Sequence, residues 1–153
     1  MAATGILRFK EGLIEQVAAA CDLAVASVQK TTTIEAFNSL TFLTPVDTGR
    51  ARSSWALGIG TPSAFLPPEL PKETLDAFKK AKKGGKAPPP LVPPPTFPTE
   101  QLSSINGKQP VYITSNLVYM QALEDGHSQA QRPEGMVRVT LTALEIDLQQ
   151  RLK

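Results

Sequence analysis

The stretch TPVDTGRARSSWALGIG, residues 44–60, separates a helical pattern from a strand pattern and decides the fold class. Pro45 disfavours helical geometry at Thr44, so a helix that reaches this point has to end here. Asp47 and Gly49 are typical of a turn, because an aspartate side chain can accept bonds from nearby backbone amides and glycine tolerates positive φ. The stretch therefore predicts a helix end followed by a turn.

A strand is predicted directly after the turn, and a second one much later in the chain. Trp55, Leu57 and Ile59 alternate with smaller residues, which is the period of a strand. The run 111–113 is rich in residues that favour strands, and Pro110 before it suits the first position of one. The two strands predict a small, mainly antiparallel sheet.

Upstream of the turn, apolar residues recur in steps of three and four, as expected for one face of a long helix. The series is Ile6, Phe9, Leu13, Val17, Cys21, Ala24 and Val28, and it resumes after three threonines with Ile34, Phe37 and Leu40. We expect Cys21 to be a buried small apolar residue on the face of Ala18, Val25 and Val28. It is the only cysteine, which excludes an intrachain disulfide and a four-cysteine zinc site.

Two further helices are predicted near the end of the chain. A short one covers residues 117–124 and stops at Gly126, and a final one follows Pro133, with Glu134 in its first turn. The apolar stripe of the final helix is Val137, Leu141, Leu144, Leu148 and Leu152. A strand over residues 137–141 is the alternative, and the continued stripe favours a helix.

Residues 61–108 form a proline- and lysine-rich insert between the two strands. Eleven of the 14 prolines lie in residues 62–98, and the insert carries seven lysines against four acidic residues. A short helix is predicted from Pro71, with a lysine-rich last turn, and Leu75 and Phe78 share its apolar face. The proline runs favour an extended path without ladder hydrogen bonds. We interpret the insert as an assembly arm that Leu75 and Phe78 anchor.

Composition and motif spacing exclude several classes of function. No apolar stretch approaches the roughly 20 residues of a membrane span, and a net charge of +2 does not by itself predict nucleic-acid binding. His127 is the only histidine, so any serine or cysteine triad would depend on it. The glycines form no phosphate-binding pattern. We expect no catalytic residue, no cofactor and no metal in a single domain spanning residues 1–153.

Four segments carry a family resemblance. TPVDTGRARSSW at 44–55 follows the long helix, and YITSNLVY at 112–119 leads to LEDGHS at 123–128 and PEGMVR at 133–138. In order and spacing they resemble the minor tail component, or neck protein, family of long-tailed bacteriophages. Asp125 departs from the aromatic residue that is more typical before the glycine.

The resemblance implies a non-enzymatic virion protein of the phage neck that completes or connects the tail at the head–tail junction. Its expected fold is α+β, with a long N-terminal helix, a small mainly antiparallel sheet, and a C-terminal helix, interrupted by the proline-rich insertion. The implied partners are copies of itself in a ring, with a hexamer expected, and tail terminator, tail tube or head-completion proteins. DNA would pass through the lumen without sequence-specific binding. The protein would be made in the host cytoplasm, with no membrane partner.

The candidate interface and motif residues outside the insert are Asp47, Gly49, Arg50, Arg52, Trp55, Gly126, His127 and Arg138. Trp55 is expected in the core, and the two arginines either contact a neighbouring subunit or solvate the turn. His127 and Arg138 would order a loop or lie between subunits. Two alternative functions stay open: a nucleic-acid-binding module that uses the lysines of residues 79–86, and a proline-rich adaptor for a host domain.

Overall fold

The computed structural model describes residues 12–85, 88–127 and 133–151. The elements are α1 (Leu13–Leu43), β1 (Ala56–Ile59), α2 (Lys72–Lys83), β2 (Val111–Thr114), α3 (Met120–Glu124) and α4 (Val137–Arg151), with short 3-10 turns at Arg52–Ser54 and Thr99–Ser104. This confirms the predicted α+β class, the long first helix, the two-stranded antiparallel sheet and the final helix. Ile6 and Phe9 of the predicted first helix, and Leu152 of the final stripe, lie outside the described residues.

The helix α1 is continuous through the three threonines that interrupt its apolar pattern. Thr33 Oγ1 donates to the carbonyl of Gln29 at 2.7 Å, so its hydroxyl bonds to the preceding turn. At the predicted end, the backbone N–H and the hydroxyl of Thr44 both donate to the carbonyl of Leu40, at 3.0 and 2.6 Å. Its 31 residues give α1 a length of about 46 Å.

The sheet pairs β1 with β2 so that Leu57 faces Ile113 and Ile59 faces Val111. These four side chains share one face of the sheet, because opposite residues of an antiparallel pair point the same way. Residues of α1 line a groove with Val111 and Ile113, so α1 lies on this face. The start of the insert crosses the other face, where a Cβ on Gly58 would come within 2.2 Å of the Thr61 carbonyl oxygen.

The core lies where the second half of α1 meets the turn, α3 and α4. Its buried members are Phe37, Leu40, Ala51, Trp55, Leu117, Met120 and Met136. Trp55 is a core residue, as expected, and its indole Nε1 donates to Thr44 Oγ1 at 2.7 Å. On α4 the buried residue is Thr140, whose hydroxyl lies 3.0 Å from that of Ser39 on α1. Leu141 of the predicted stripe is exposed instead, because Thr140 takes the position that faces α1.

The insert, which the sequence led us to interpret as an assembly arm, packs on the core of its own chain. The ring of Phe97 packs edge-on against that of Phe37, with centroids 5.4 Å apart. The backbone N–H of Val92 donates to the carbonyl of Thr48 at 3.0 Å. Phe78 is buried within its own chain, which leaves half-buried Leu75 as the accessible member of the pair. Residues 88–98 form no strand ladder, as predicted, but the chain bends at Leu91 and Val92.

The first half of α1 is covered only in part by the described part of its own chain, where Gly107 lies against Val25 and Lys108 forms an ion pair with Asp22 at 3.0 Å. Val17, Val25 and Val28 are each about half exposed, and Cys21 is exposed as well. The expected burial of Cys21 is therefore wrong. The most extensive contacts of α1 with other elements are those with α4, β2 and the turn at 52–54.

Candidate functional site

The turn at residues 44–55 joins three parts of the fold. Gly49 has φ +89°, as predicted, and a Cβ there would lie 2.1 Å from the carbonyl oxygen of Val92. The Asp47 carboxylate forms an ion pair with Lys82 of α2 at 2.7 Å. The turn thus connects the end of α1 to both the proline-rich segment and α2.

Both arginines of the turn bind to their own chain. Arg52 Nη2 donates to the carbonyls of Phe42 and Thr44 at 3.1 and 3.3 Å. The last carbonyls of a helix lack intrahelical donors and carry partial negative charge, so this guanidinium stabilises the end of α1. Arg50 Nη2 donates to the carbonyl of Pro67 at 3.3 Å and lies 3.9 Å from a carboxylate oxygen of Glu69. The arginines order the insert and α1 in this structure.

Glu124, in the motif segment that begins at residue 123, positions the start of α4. The carboxylate of Glu124 accepts hydrogen bonds from the backbone N–H groups of Met136, Val137 and Arg138 at 2.8, 2.8 and 3.0 Å. These are unpaired donors at a helix N-terminus, where a negative charge is favourable. The role expected for Glu134 therefore falls to Glu124, because α4 begins at Val137 and not at Pro133.

Close backbone packing explains why glycine stands at positions 126 and 135, before α4. Gly126 has φ +85°, and a Cβ there would lie 2.6 Å from the carbonyl oxygen of Pro133. Gly135 has φ +79°, and its Cβ would lie 2.5 Å from the carbonyl oxygen of Glu124. His127 bonds to the carbonyl of Ala122 through its backbone N–H at 3.1 Å and through Nδ1 at 2.8 Å. These contacts hold residues 126 and 127 against α3 and residue 133, while Arg138 is exposed.

The contacts of Glu124 predict a pH dependence of stability. Partial burial raises the pKa of this carboxyl, but the three backbone N–H bonds and the charge of Arg138 more than offset it, so the pKa lies below its ordinary value. A depressed folded-state pKa adds stability above the unfolded-state pKa, about 4, that is lost as the pH falls through the folded-state value. We expect Glu124→Gln to lower the free energy of unfolding at pH 7 by roughly 1 kcal/mol.

Urea denaturation of wild type and variant at pH 7 and at about pH 3 measures this effect. The difference between them should shrink at the lower pH. Glu145→Gln is the matched control, because Glu145 is exposed on α4 itself and should cost little at either pH. A constant difference between Glu124→Gln and wild type across this range would contradict the assigned role.

An open apolar groove runs between α1 and β2. Its volume is about 590 Å³, and it is lined by Ala24, Val25, Val28, Gln29, Thr32, Thr33, Ala36, Gly107, Val111, Ile113 and Leu148. Gln29 fixes one wall, since its Nε2 donates to the carbonyl of Gln109 at 2.8 Å and its Oε1 accepts from the N–H of Gly107 at 2.9 Å. The sequence pattern indicated the apolar face of α1 but not that it would stay uncovered.

Within residues 12–85, 88–127 and 133–151, no cluster of three histidine, cysteine or carboxylate side chains is placed to hold a metal ion. In the same part of the chain, no helix has the length and apolar character to cross a membrane. Comparisons of the chain with protein-family models, curated proteins and solved structures found no match.

Proposed function

We propose that this protein is a structural subunit of a bacteriophage virion, a member of a ring that completes or connects the tail at the head–tail junction. The observation that carries the proposal is the groove along α1, which the described part of the chain leaves open. An open apolar groove on a folded chain is suited to contact with another protein. The family resemblance of the turn and of the segments before α4 supports the same function.

The chemistry of the groove suits a protein contact. Its lining consists of aliphatic, threonine, glutamine and glycine residues, with no charged side chain among the described ones. General acid–base catalysis needs a titratable group within hydrogen-bonding reach of the reacting atoms. Burial of apolar side chains from a partner needs only shape and apolar area. The residues that line the groove therefore suit a protein–protein contact better than catalysis.

The motif residues support this function by holding the groove walls in place. Only the turn separates the end of α1 from β1, and Trp55 ties the turn to Thr44. The hydroxyl of Ser54 bonds to that of Ser115, directly after β2. The turn at residues 44–55, which carries part of the family resemblance, thus fixes α1 relative to both strands. It thereby sets the distance between the two walls of the groove, α1 and β2.

Removal of the gene from the phage that encodes this chain tests the proposal. We expect heads and tails that accumulate without joining, and an expressed wild-type copy should restore joined particles. A symmetry-resolved image of those particles should place the chain in a ring at the junction, with six copies expected. Infectious particles that contain no copy of the chain would contradict the proposed function.

A further inference from the structure

Three exposed apolar side chains lie where the start of the insert meets the loop after β2. Phe65 is 47% exposed, Leu66 54% and Val118 98%. Asn116 ties the two segments together, because its Nδ2 donates to the carbonyl of Phe65 at 2.8 Å and to that of Ser63 at 2.9 Å. We call Phe65, Leu66 and Val118 the knob. A protruding set of this kind is suited to filling an apolar groove.

The start of the insert, from which the knob extends, and the groove lie on opposite sides of the sheet, while Phe65 also borders a cavity lined by Phe37 and Trp55. Val111 and Ile113 point into the groove, whereas Thr114 points to the other face, since side chains alternate along a strand. There the Thr114 hydroxyl donates to the carbonyl of Ser63 at 3.1 Å, which places the start of the insert on that face. One chain therefore presents two different apolar surfaces in two directions. Such surfaces allow a head-to-tail contact that repeats from copy to copy.

The charges beside the two surfaces are complementary. Tyr119, next to the knob residue Val118, lines a cavity together with Leu75 of α2. The helix α2 carries five lysines against Glu73 and Asp76, whereas α1 and α4, which border the groove, together carry five acidic and three basic residues. Three of those acidic residues, Asp22, Glu35 and Asp147, are already paired with Lys108 or Arg151 of their own chain. A contact of knob with groove brings the basic helix of one copy towards the acidic helices of the next. A contact of knob with knob would place lysines against lysines.

From these observations we propose that the occupant of the groove is a second copy of this chain, which inserts Phe65, Leu66 and Val118. The contact is heterologous: each copy offers its knob to one neighbour and its groove to the other, and the series closes into a ring when the rotation per copy allows it. This inference rests on the proposed function, because it names the surface through which the ring subunits join.

A disulfide cross-link tests the contact with a residue the chain already has. Cys21 is exposed on α1, one turn before Ala24 and Val25 of the groove, and is the only cysteine. In the variant Val118→Cys, mild oxidation should link Cys21 of one copy to the new thiol of the next, giving dimers and longer series on a non-reducing gel. The matched control Leu141→Cys, also exposed but outside knob and groove, should give no such series.

Val28→Glu tests the groove itself. Val28 is about half exposed, so the folded monomer should tolerate the carboxylate, which a circular-dichroism melt checks. In the proposed contact this carboxylate would be buried against the apolar knob of the next copy and would lose its hydration. Val28→Glu should therefore weaken self-association at least about tenfold in sedimentation. Changing Lys79, Lys80 and Lys83 to Gln should weaken it more at low salt than at high salt. Lys82 is left in place because it holds Asp47.

If the wild type self-associates but Val118→Cys gives no cross-linked series and Val28→Glu does not weaken the association, this contact is overturned and the proposed function stands. Wild-type protein that stays monomeric at high concentration would overturn it too. If the lysine variant loses duplex DNA binding while its self-association is unchanged, the lysines serve nucleic acid and the charge pairing is overturned. The proposed function fails separately, when the virion lacks the chain.

Discussion

Deletion of residues 62–98, with a short glycine–serine linker in their place, is expected to abolish cooperative folding. The deletion removes Phe97 from its edge-on contact with Phe37, a core residue that is 1% exposed. It also removes buried Phe78 with α2, and it leaves Arg50 without the carbonyl of Pro67. Loss of one buried aromatic side chain costs about 3–5 kcal/mol. Domains of this size are stable by only about 5–15 kcal/mol in total.

Thermal unfolding followed by near- and far-ultraviolet circular dichroism measures the effect of the deletion. The matched control is Leu91→Ser, a polar change at an exposed position of the same proline-rich segment, and it should unfold as wild type does. A deletion variant with a cooperative transition within a few degrees of wild type would show that the core forms without the insert. Such a result would favour the role of assembly arm expected for the insert from the sequence.

Gly49→Ala is expected to destabilise the protein far more than Gly85→Ala, although both glycines have positive φ. The φ angles are +89° and +81°, so the left-handed backbone costs either alanine about 1–2 kcal/mol. At Gly49 the new Cβ would also lie 2.1 Å from the Val92 carbonyl oxygen, whereas at Gly85 nothing lies within 4 Å. Backbone cannot move aside as a flexible side chain does. We expect a loss of at least about 3 kcal/mol at Gly49 and about 1 kcal/mol at Gly85.

Urea denaturation measures the free energy of unfolding of both glycine variants and of the wild type. Gly85→Ala is the matched control for Gly49→Ala, because it adds the same methyl group at a positive φ without the close contact. Displacement of the proline-rich segment in Gly49→Ala should also expose the Thr48 carbonyl, which hydrogen exchange of the Val92 amide would report. Equal losses of stability in the two variants would mean that the close approach of Val92 contributes nothing.

The sequence by itself determined the elements whose causes are local. The proline at 45 ends α1, the proline at 71 begins α2, and positive φ was predicted for Gly49. The period of two in Leu57 and Ile59 indicated the strand face that packs towards α1. Each of these follows from steric and hydrogen-bonding preferences within a few residues, which is why the pattern alone was sufficient.

Tertiary structure decided everything that depends on residues distant in sequence. Glu124 caps α4 across an intervening loop, so no spacing rule pointed to it, and Glu134 was the local candidate. Arg52 stabilises the end of α1 only because the turn folds back on that helix. The apolar period of α1 predicted a buried face for Cys21 but could not specify what covers it. Burial depends on which surfaces meet, and in the described chain the loop at Gly107 and Lys108 approaches this part of α1 without covering Cys21.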